Sequence, residues 1–395
     1  MRIIEKHYYI VLHILLLKAL GIWPHDKSRL VLLQRVLIII LTATYICMQL
    51  LVFITSRYNL TLFIKTMSFV FPFTIIIIQY FTFILKSKNI RNLHYQIQED
   101  WKIIRNKIES EIIQKYAHYG QFYITLIFLY ASITAIVIIF LQLYPMIFDI
   151  VLPLDEPRPF KLIIRMEYFV SQERYFFTKA LHELIIASLY GLIILATATQ
   201  LVIFIIHSLG MFKIASHRIR HSIEDNVLYM SNMEKERAIC ESIMQVVIAH
   251  RKAMKFADNM MLSLNAPYCI IAIIAVFSLS VNLFRFVEAI TTKNIDDLAI
   301  SFLITVIHLL YMFVASYIGQ KIIDYNNEIF RMIYNTSWYL MPVPSQKLIL
   351  FLMQKAGKEF NLKLGFLFVG KIENFTTLLN NALSYVTVMY SAHNQ

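Results

Sequence analysis

The chain has 395 residues, 58% of them hydrophobic and only 16% charged, with a formal net charge of +12. A mean hydropathy of +0.61, spread over several apolar runs of about 20 residues or more, excludes a soluble globular domain and points to a polytopic membrane protein. With only eight glycines and no phosphate loop, no metal-ligand spacing and no nucleophile motif, the chain reads as a non-enzyme without nucleotide or metal cofactor.

Residues 1–35 read as a cytosolic N-terminal segment. Arg2 and Lys6 precede a short apolar run, Tyr9 to Leu17, in the manner of a signal peptide. His13 and Lys18 interrupt that run, so an amphipathic helix on the inner membrane face is expected instead. Residues 36–209 hold four spans, at 36–55, 66–85, 121–148 and 184–209, with an extracellular loop at 149–179. The loop carries Pro153, Pro157 and Pro159, then the aromatic residues Tyr168, Phe169, Tyr175, Phe176 and Phe177, and its acids balance its bases. It is either a lid over the bundle or a loop packed down for stability. Residues 210–260 alternate basic, acidic and apolar groups at helical spacing and read as a cytosolic helical loop. Residues 261–320 hold spans five and six, at 261–284 and 298–319. Residues 321–365 read as cytosolic helices broken near Pro342 and Pro344.

Within the seventh span, 366–391, the segment Ile372 to Ser391 is two-faced. At about 100° per residue, Glu373, Asn374, Thr376, Thr377, Asn380, Asn381, Ser384, Thr387 and Ser391 share one arc, interrupted by the single aliphatic Val388. The opposite side is Phe375, Leu378, Leu379, Ala382, Leu383, Tyr385, Val386 and Met389. That pattern suits a pore-lining helix with a hydrophobic constriction. It suits equally a hydroxyl- and amide-rich face packed against other helices.

Lysine and arginine set the orientation, because positive loops stay in the cytosol. Of 37 in all, 28 fall on the side of the N-terminus and 9 on the other. The expected fold is therefore an all-α membrane protein of seven transmembrane helices with a cytosolic N-terminus, an extracellular C-terminus and a cytosolic helical anchor region. The basic excess follows from this topology and implies no nucleic-acid partner. Cys47 and Cys269 lie in spans and Cys240 in an inner loop, which leaves no outer disulfide. Asn59-Leu60-Thr61 is an outer sequon open to glycosylation, whereas those at Asn335 and Asn374 fall inside or within the membrane.

The loop residues Leu152-Pro153-Leu154-Asp155-Glu156-Pro157-Arg158-Pro159 and Glu167-Tyr168-Phe169-Val170-Ser171-Gln172-Glu173-Arg174-Tyr175-Phe176 carry a resemblance. So do the stretch from His207 to Ile219, Gly319-Gln320, Tyr334-Asn335-Thr336-Ser337-Trp338-Tyr339, Phe375-Thr376-Thr377-Leu378 and Ser384-Tyr385. Along essentially its whole length the chain resembles an insect odorant receptor, of the tuning-subunit kind expanded in ants, bees and wasps. The resemblance implies a ligand-gated, non-selective cation channel in the plasma membrane of olfactory sensory dendrites. It implies assembly as a heterotetramer with a shared co-receptor subunit, whose inner loop between spans four and five is longer than this one.

By the same resemblance the last helix lines the pore, with Asn381, Ser384, Thr387, Val388 and Ser391 facing it and Val388 at the gate. The implied odorant pocket lies in the outer halves of the spans, at Phe69, Phe73, Ile77, Tyr80, Ala135, Ile139, Gln142, Ser188, Phe277, Thr305, His308 and Tyr311. Such a lining favours a small hydrophobic odorant oriented by one hydrogen bond. His182, Glu183 and His308 stand out because ionisable groups in spans tend to face cavities. His182 and Glu183 serve equally as a cap of span four. Two other readings remain open: a gustatory-type channel that works without the co-receptor, and a metabotropic seven-span receptor, which needs the opposite orientation.

Overall fold

The computed structural model describes residues 8–57, 59–151, 162–170, 174–221, 232–357, 363–364 and 368–393. The stretch 152–159 and the residues before Tyr8 lie outside them. In chain order the described helices are α1 (Tyr8–Ala19), α2 (Arg29–Thr55), α3 (Leu60–Leu85), α4 (Ser87–Ile103), α5 (Lys107–Val151), α6 (Phe176–Arg220), α7 (Asn232–Thr291), α8 (Ile295–Tyr334), α9 (Val343–Ala356) and α10 (Ile372–His393). The two-residue strands β1 (Lys363–Leu364) and β2 (Phe368–Val369) pair antiparallel just before α10. The protein is an all-α membrane bundle with this one small hairpin.

Six helices, α2, α3, α5, α6, α7 and α8, are long and apolar enough to cross a membrane. At 22 residues α10 reaches about 33 Å at 1.5 Å per residue, enough for a hydrocarbon core of about 30 Å. Polar side chains start three of the crossings. Ser28 Oγ accepts from Val31 N, Asn59 Oδ1 from Thr61 N and Asn294 Oδ1 from Asp297 N, satisfying amides that a first turn leaves open. The outward side of α5 exposes Phe122, Leu126, Leu129, Ile133, Ile136 and Phe140, an apolar stripe suited to lipid.

The segments expected as inner loops are continuations of the spans. The helices α5 and α6 run for 45 residues each and α7 for 60, so 210–220 is the end of α6 and 232–260 the start of α7. These extensions share a core that includes Phe212, Ile219, Ile243, Phe256, Ile329 and Ile349. Arg218 clamps Glu109 of α5 through Nε and Nη2, at 2.6 and 2.8 Å, and Lys213 reaches Glu328 of α8 at 2.9 Å. The expected start of the seventh span at 366 is corrected. Phe368 and Val369 are strand β2, and the helix opens only at Ile372, after Gly370 and Lys371. Bulky and β-branched residues bounded by a glycine suit an extended pair better than a helix start.

Helix α1 is docked against α6. His13 is buried against α6, its Nδ1 2.8 Å from Thr199 Oγ1 and its Nε2 3.1 Å from Gln200 Oε1. His94 of α4 donates through Nε2 to the same Gln200 oxygen at 3.0 Å, and His25 Nε2 donates to His94 Nδ1 at 3.1 Å. Burial lowers His13 to about 4 and His94 to about 3, in each case against the Gln200 hydrogen bond, which acts to raise them. An unfolded chain takes up these protons near 6.5, while the fold holds the rings neutral. The stability they contribute is thus full above pH 6.5 and is lost as pH falls toward 4, at up to about 1.4 kcal/mol per pH unit for each histidine. The unfolding midpoint of the detergent-solubilised protein should drop between about pH 7 and about pH 5. His94→Gln should flatten that drop, and an unchanged slope in the variant would exclude His94 as a source of it.

Candidate functional site

Aromatic rings meet where α2, α3 and α6 converge. Phe73 lies between Tyr190, with ring centroids 4.7 Å apart, and Tyr45, at 5.1 Å. Phe69 is 6.3 Å from Phe73, and His182 is 6.0 Å from Tyr45. The segment 162–170 closes this group. The Tyr168 hydroxyl pairs with His182 Nδ1 at 2.9 Å, Ile164 N donates to Glu183 Oε1 at 2.8 Å, and Glu167 N donates to Met48 O at 3.0 Å. Glu167 itself is held below the usual carboxylate range by the Phe169 backbone N–H and then by the Thr55 hydroxyl. The described part of the outer loop is stitched to α2 and α6, and buried Ile164 and Met166 pack beneath it.

Inside this enclosure the hydroxyls of Tyr45 and Tyr190, both amide atoms of Gln49 and Glu183 Oε2 are buried without a hydrogen-bond partner. Buried polar atoms are normally satisfied, because leaving one bare costs about 1–3 kcal/mol. A cluster of rings with a few such atoms can orient a small apolar molecule through one or two hydrogen bonds once the rings part to admit it.

The residues expected to line a pocket are divided by the structure. Phe69 and Phe73 belong to the aromatic group, and half-buried Ile77 packs against the same core. Tyr80 does not: its hydroxyl donates to Leu20 O at 3.0 Å, at the α1 end. Ala135 and Ile139 on α5 and Ser188 on α6 are on exposed faces. Gln142 and Thr305 are buried with unpartnered side-chain atoms, and His308 Nδ1 is 2.8 Å from Ile304 O of its own helix. Tyr311 packs in the apolar cluster that joins α3, α7, α8 and α10, and half-exposed Phe277 lies 5.2 Å from Tyr385. Tyr45, Gln49, Tyr168 and Tyr190 were missed. The signal was there for Tyr45 and Gln49, polar groups one turn apart inside an apolar α2.

Helix α10 rests on α7 and α8 and buries only Leu378 and Ala382. Asn381, Ser384, Thr387, Val388 and Ser391 are all exposed, Val388 by 64%. The hydroxyls of Ser384 and Thr387 donate to carbonyls of their own helix, and the five side chains are uncharged. Among the described residues, no cluster of three His, Cys, Asp or Glu side chains could hold a metal ion.

The 7tm odorant receptor family model matches residues 59–383. The chain belongs to the 7tm odorant receptor family. Odorant receptors are channel-forming receptors and not enzymes. The insect olfactory receptor OR5 from Machilis hrabei in complex with eugenol has a similar fold, with a TM-score of 0.79 and 13% identity over 98% of each chain. A second structure of the same Machilis hrabei receptor gives a TM-score of 0.74 and 11% identity, covering 96% of this chain and 97% of that one. No curated protein sequence matches.

Proposed function

We propose that this odorant receptor is the odorant-binding subunit of a heteromeric, ligand-gated, non-selective cation channel, with its N-terminus in the cytosol. The partners are a shared co-receptor subunit in a heterotetramer, membrane lipid, and a small hydrophobic odorant or pheromone. The location is the plasma membrane of olfactory sensory dendrites. The observation that carries this reading is α10: it turns an uncharged polar face away from its own bundle, where a symmetric ring of subunits needs a pore lining. The aromatic group under the outer loop supplies the odorant site, and the Machilis receptor of similar fold is in complex with eugenol. Asn59, exposed at the start of α3, is the proposed glycan acceptor.

Ligand favours the open arrangement and so shifts the population toward it. Whole-cell current from cells expressing this chain, the co-receptor, or both tests the assignment. A volatile-evoked current confined to co-expressing cells, and insensitive to G-protein block, is the expected result. Current without the co-receptor would favour the gustatory-type channel, and loss under G-protein block the metabotropic receptor. In the same cells Val388→Ala should raise the basal current, because it shortens the one aliphatic side chain on the pore face. Basal and evoked currents identical to those of the parent chain would remove Val388 from the gate.

A further inference from the structure

A cavity of about 120 Å³ lies among α1, α4, α5 and α6. Tyr190 of the aromatic group and Gln200 of this cavity are ten residues apart on α6, about 15 Å at 1.5 Å per residue, so the two sites are separate. Its wall is mostly apolar, built chiefly by Trp23, Trp101, Ile113, Tyr116, Ile124 and Ile203; His13, His25, His94, Gln98 and Gln121 also border it, and its lining contains no Asp, Glu, Lys or Arg. Two polar side chains of α6, Gln200 and His207, also line it. They are 0% and 5% exposed, and Gln200 Nε2 and His207 Nδ1 have no hydrogen-bond partner.

The other polar atoms of both residues are committed. Gln200 Oε1 accepts from His13 and His94, and His207 Nε2 faces Asp100 Oδ2 at 3.2 Å. The neutral tautomer of His207 that donates to Asp100 leaves Nδ1 as an acceptor. Seven residues separate Gln200 from His207, two helical turns along one face, or about 10 Å. The cavity therefore offers an amide donor at one end and an imidazole acceptor at the other, with ring-sized apolar space between them. An apolar cavity of about 150 Å³ holds a benzene ring, so a substituted ring fills this one, at about 120 Å³, only if its walls give slightly. An ionised ligand would be desolvated here without a counter-charge.

We infer that this cavity is a second small-molecule site, for a neutral ring-sized molecule with a hydrogen-bond acceptor at one end and a hydroxyl at the other, such as a para-substituted phenol. The hydroxyl donates to His207 Nδ1 and the acceptor receives Gln200 Nε2–H. An occupant packs α1 and α4 against α5 and α6, away from the aromatic group beneath the outer loop.

The test uses the full-length protein in detergent, photolabelled with 4-azidophenol and mapped by mass spectrometry. Label is expected in peptides that contain Trp101 or span Tyr116 to Ile124. Unlabelled 4-hydroxybenzaldehyde should suppress it at a concentration about tenfold lower than toluene, which lacks both polar ends. Ala117→Phe fills the cavity and should abolish the label, while Tyr190→Ala in the aromatic group should leave it intact. If Ala117→Phe elutes as aggregate, Ile124→Trp tests the same filling. Label spread evenly over the lipid-facing helices, label that survives a folded filling variant, label lost with Tyr190→Ala, or equal competition by toluene would each overturn the assignment. The readout needs no current, so its failure is distinguishable from failure of the channel reading.

Discussion

Gly319→Ala should remove most of the protein from the cell surface and abolish evoked current. Gly319 sits mid-way along α8, where an alanine costs nothing in helix propensity and is favoured over glycine by about 1 kcal/mol. The obstacle is tertiary. An added Cβ would overlap the carbonyl group and Cα of Gly370, and these are backbone atoms with no side chain to swing aside. Gly370 lies between β2 and α10, so relief has to come from displacing the entry to α10, the proposed pore helix. Gly191→Ala on α6 is the control, because its Cβ would meet nothing within 4 Å. Surface biotinylation and whole-cell current on both variants decide the matter. Parent-like surface level and current in Gly319→Ala would show that the contact between α8 and the hairpin is dispensable.

That close approach was not legible in the sequence, because Gly319 and Gly370 are 51 residues apart and only their packing gives either a meaning. Local periodicity was legible. The placement of Leu378 and Ala382 opposite Asn381, Ser384 and Thr387 needs only the 3.6-residue repeat, and those two apolar residues are the ones α10 buries. The apolar spacing in 211–260 likewise marked helices. The same spacing led to the expectation that helices project from the spans into the cytosol and pack together, but not to where each one ends, since the boundary of an apolar run locates a membrane surface, not a helix end. His13 misled for a related reason. On an isolated helix a histidine reads as a polar interruption, and its buried contacts with Thr199 and Gln200 exist only once α1 meets α6. Tyr80 and Phe73 are seven residues apart on one face of α3, yet one meets the α1 end and the other the aromatic group, because two turns of helix move a side chain about 10 Å.

Arg285→Met should destabilise the protein by about 3–5 kcal/mol, the usual cost of removing one partner from a buried ion pair. The Arg285 side chain is 4% exposed and joins three helices. From α7 its Nη1 donates to Ser68 Oγ of α3 at 2.7 Å, and its Nη2 donates to Asp297 Oδ1 of α8 at 2.6 Å. Asn282 adds a bond from Nδ2 to Ser68 O at 3.2 Å. Methionine matches the length of the arginine stem but leaves Asp297 with only half-exposed Lys65 as a counter-charge. Adding Asp297→Asn removes the stranded carboxylate, so the double variant should recover about 1–3 kcal/mol relative to the sum of the two single changes. The guanidinium also lies over the Phe69 ring, 5.2 Å from its centroid, and Phe69 in turn flanks Phe73. Loss of Arg285 should therefore weaken odorant response as well as lower the unfolding midpoint, and Arg285→Lys should restore charge without restoring the reach to both Ser68 and Asp297. Strict additivity of Arg285→Met and Asp297→Asn in the midpoint would mean that the pair, though close, is not coupled. In that case the order of α3, α7 and α8 around Phe69 would rest on apolar packing with the Asn282–Ser68 and Lys65–Asp297 contacts.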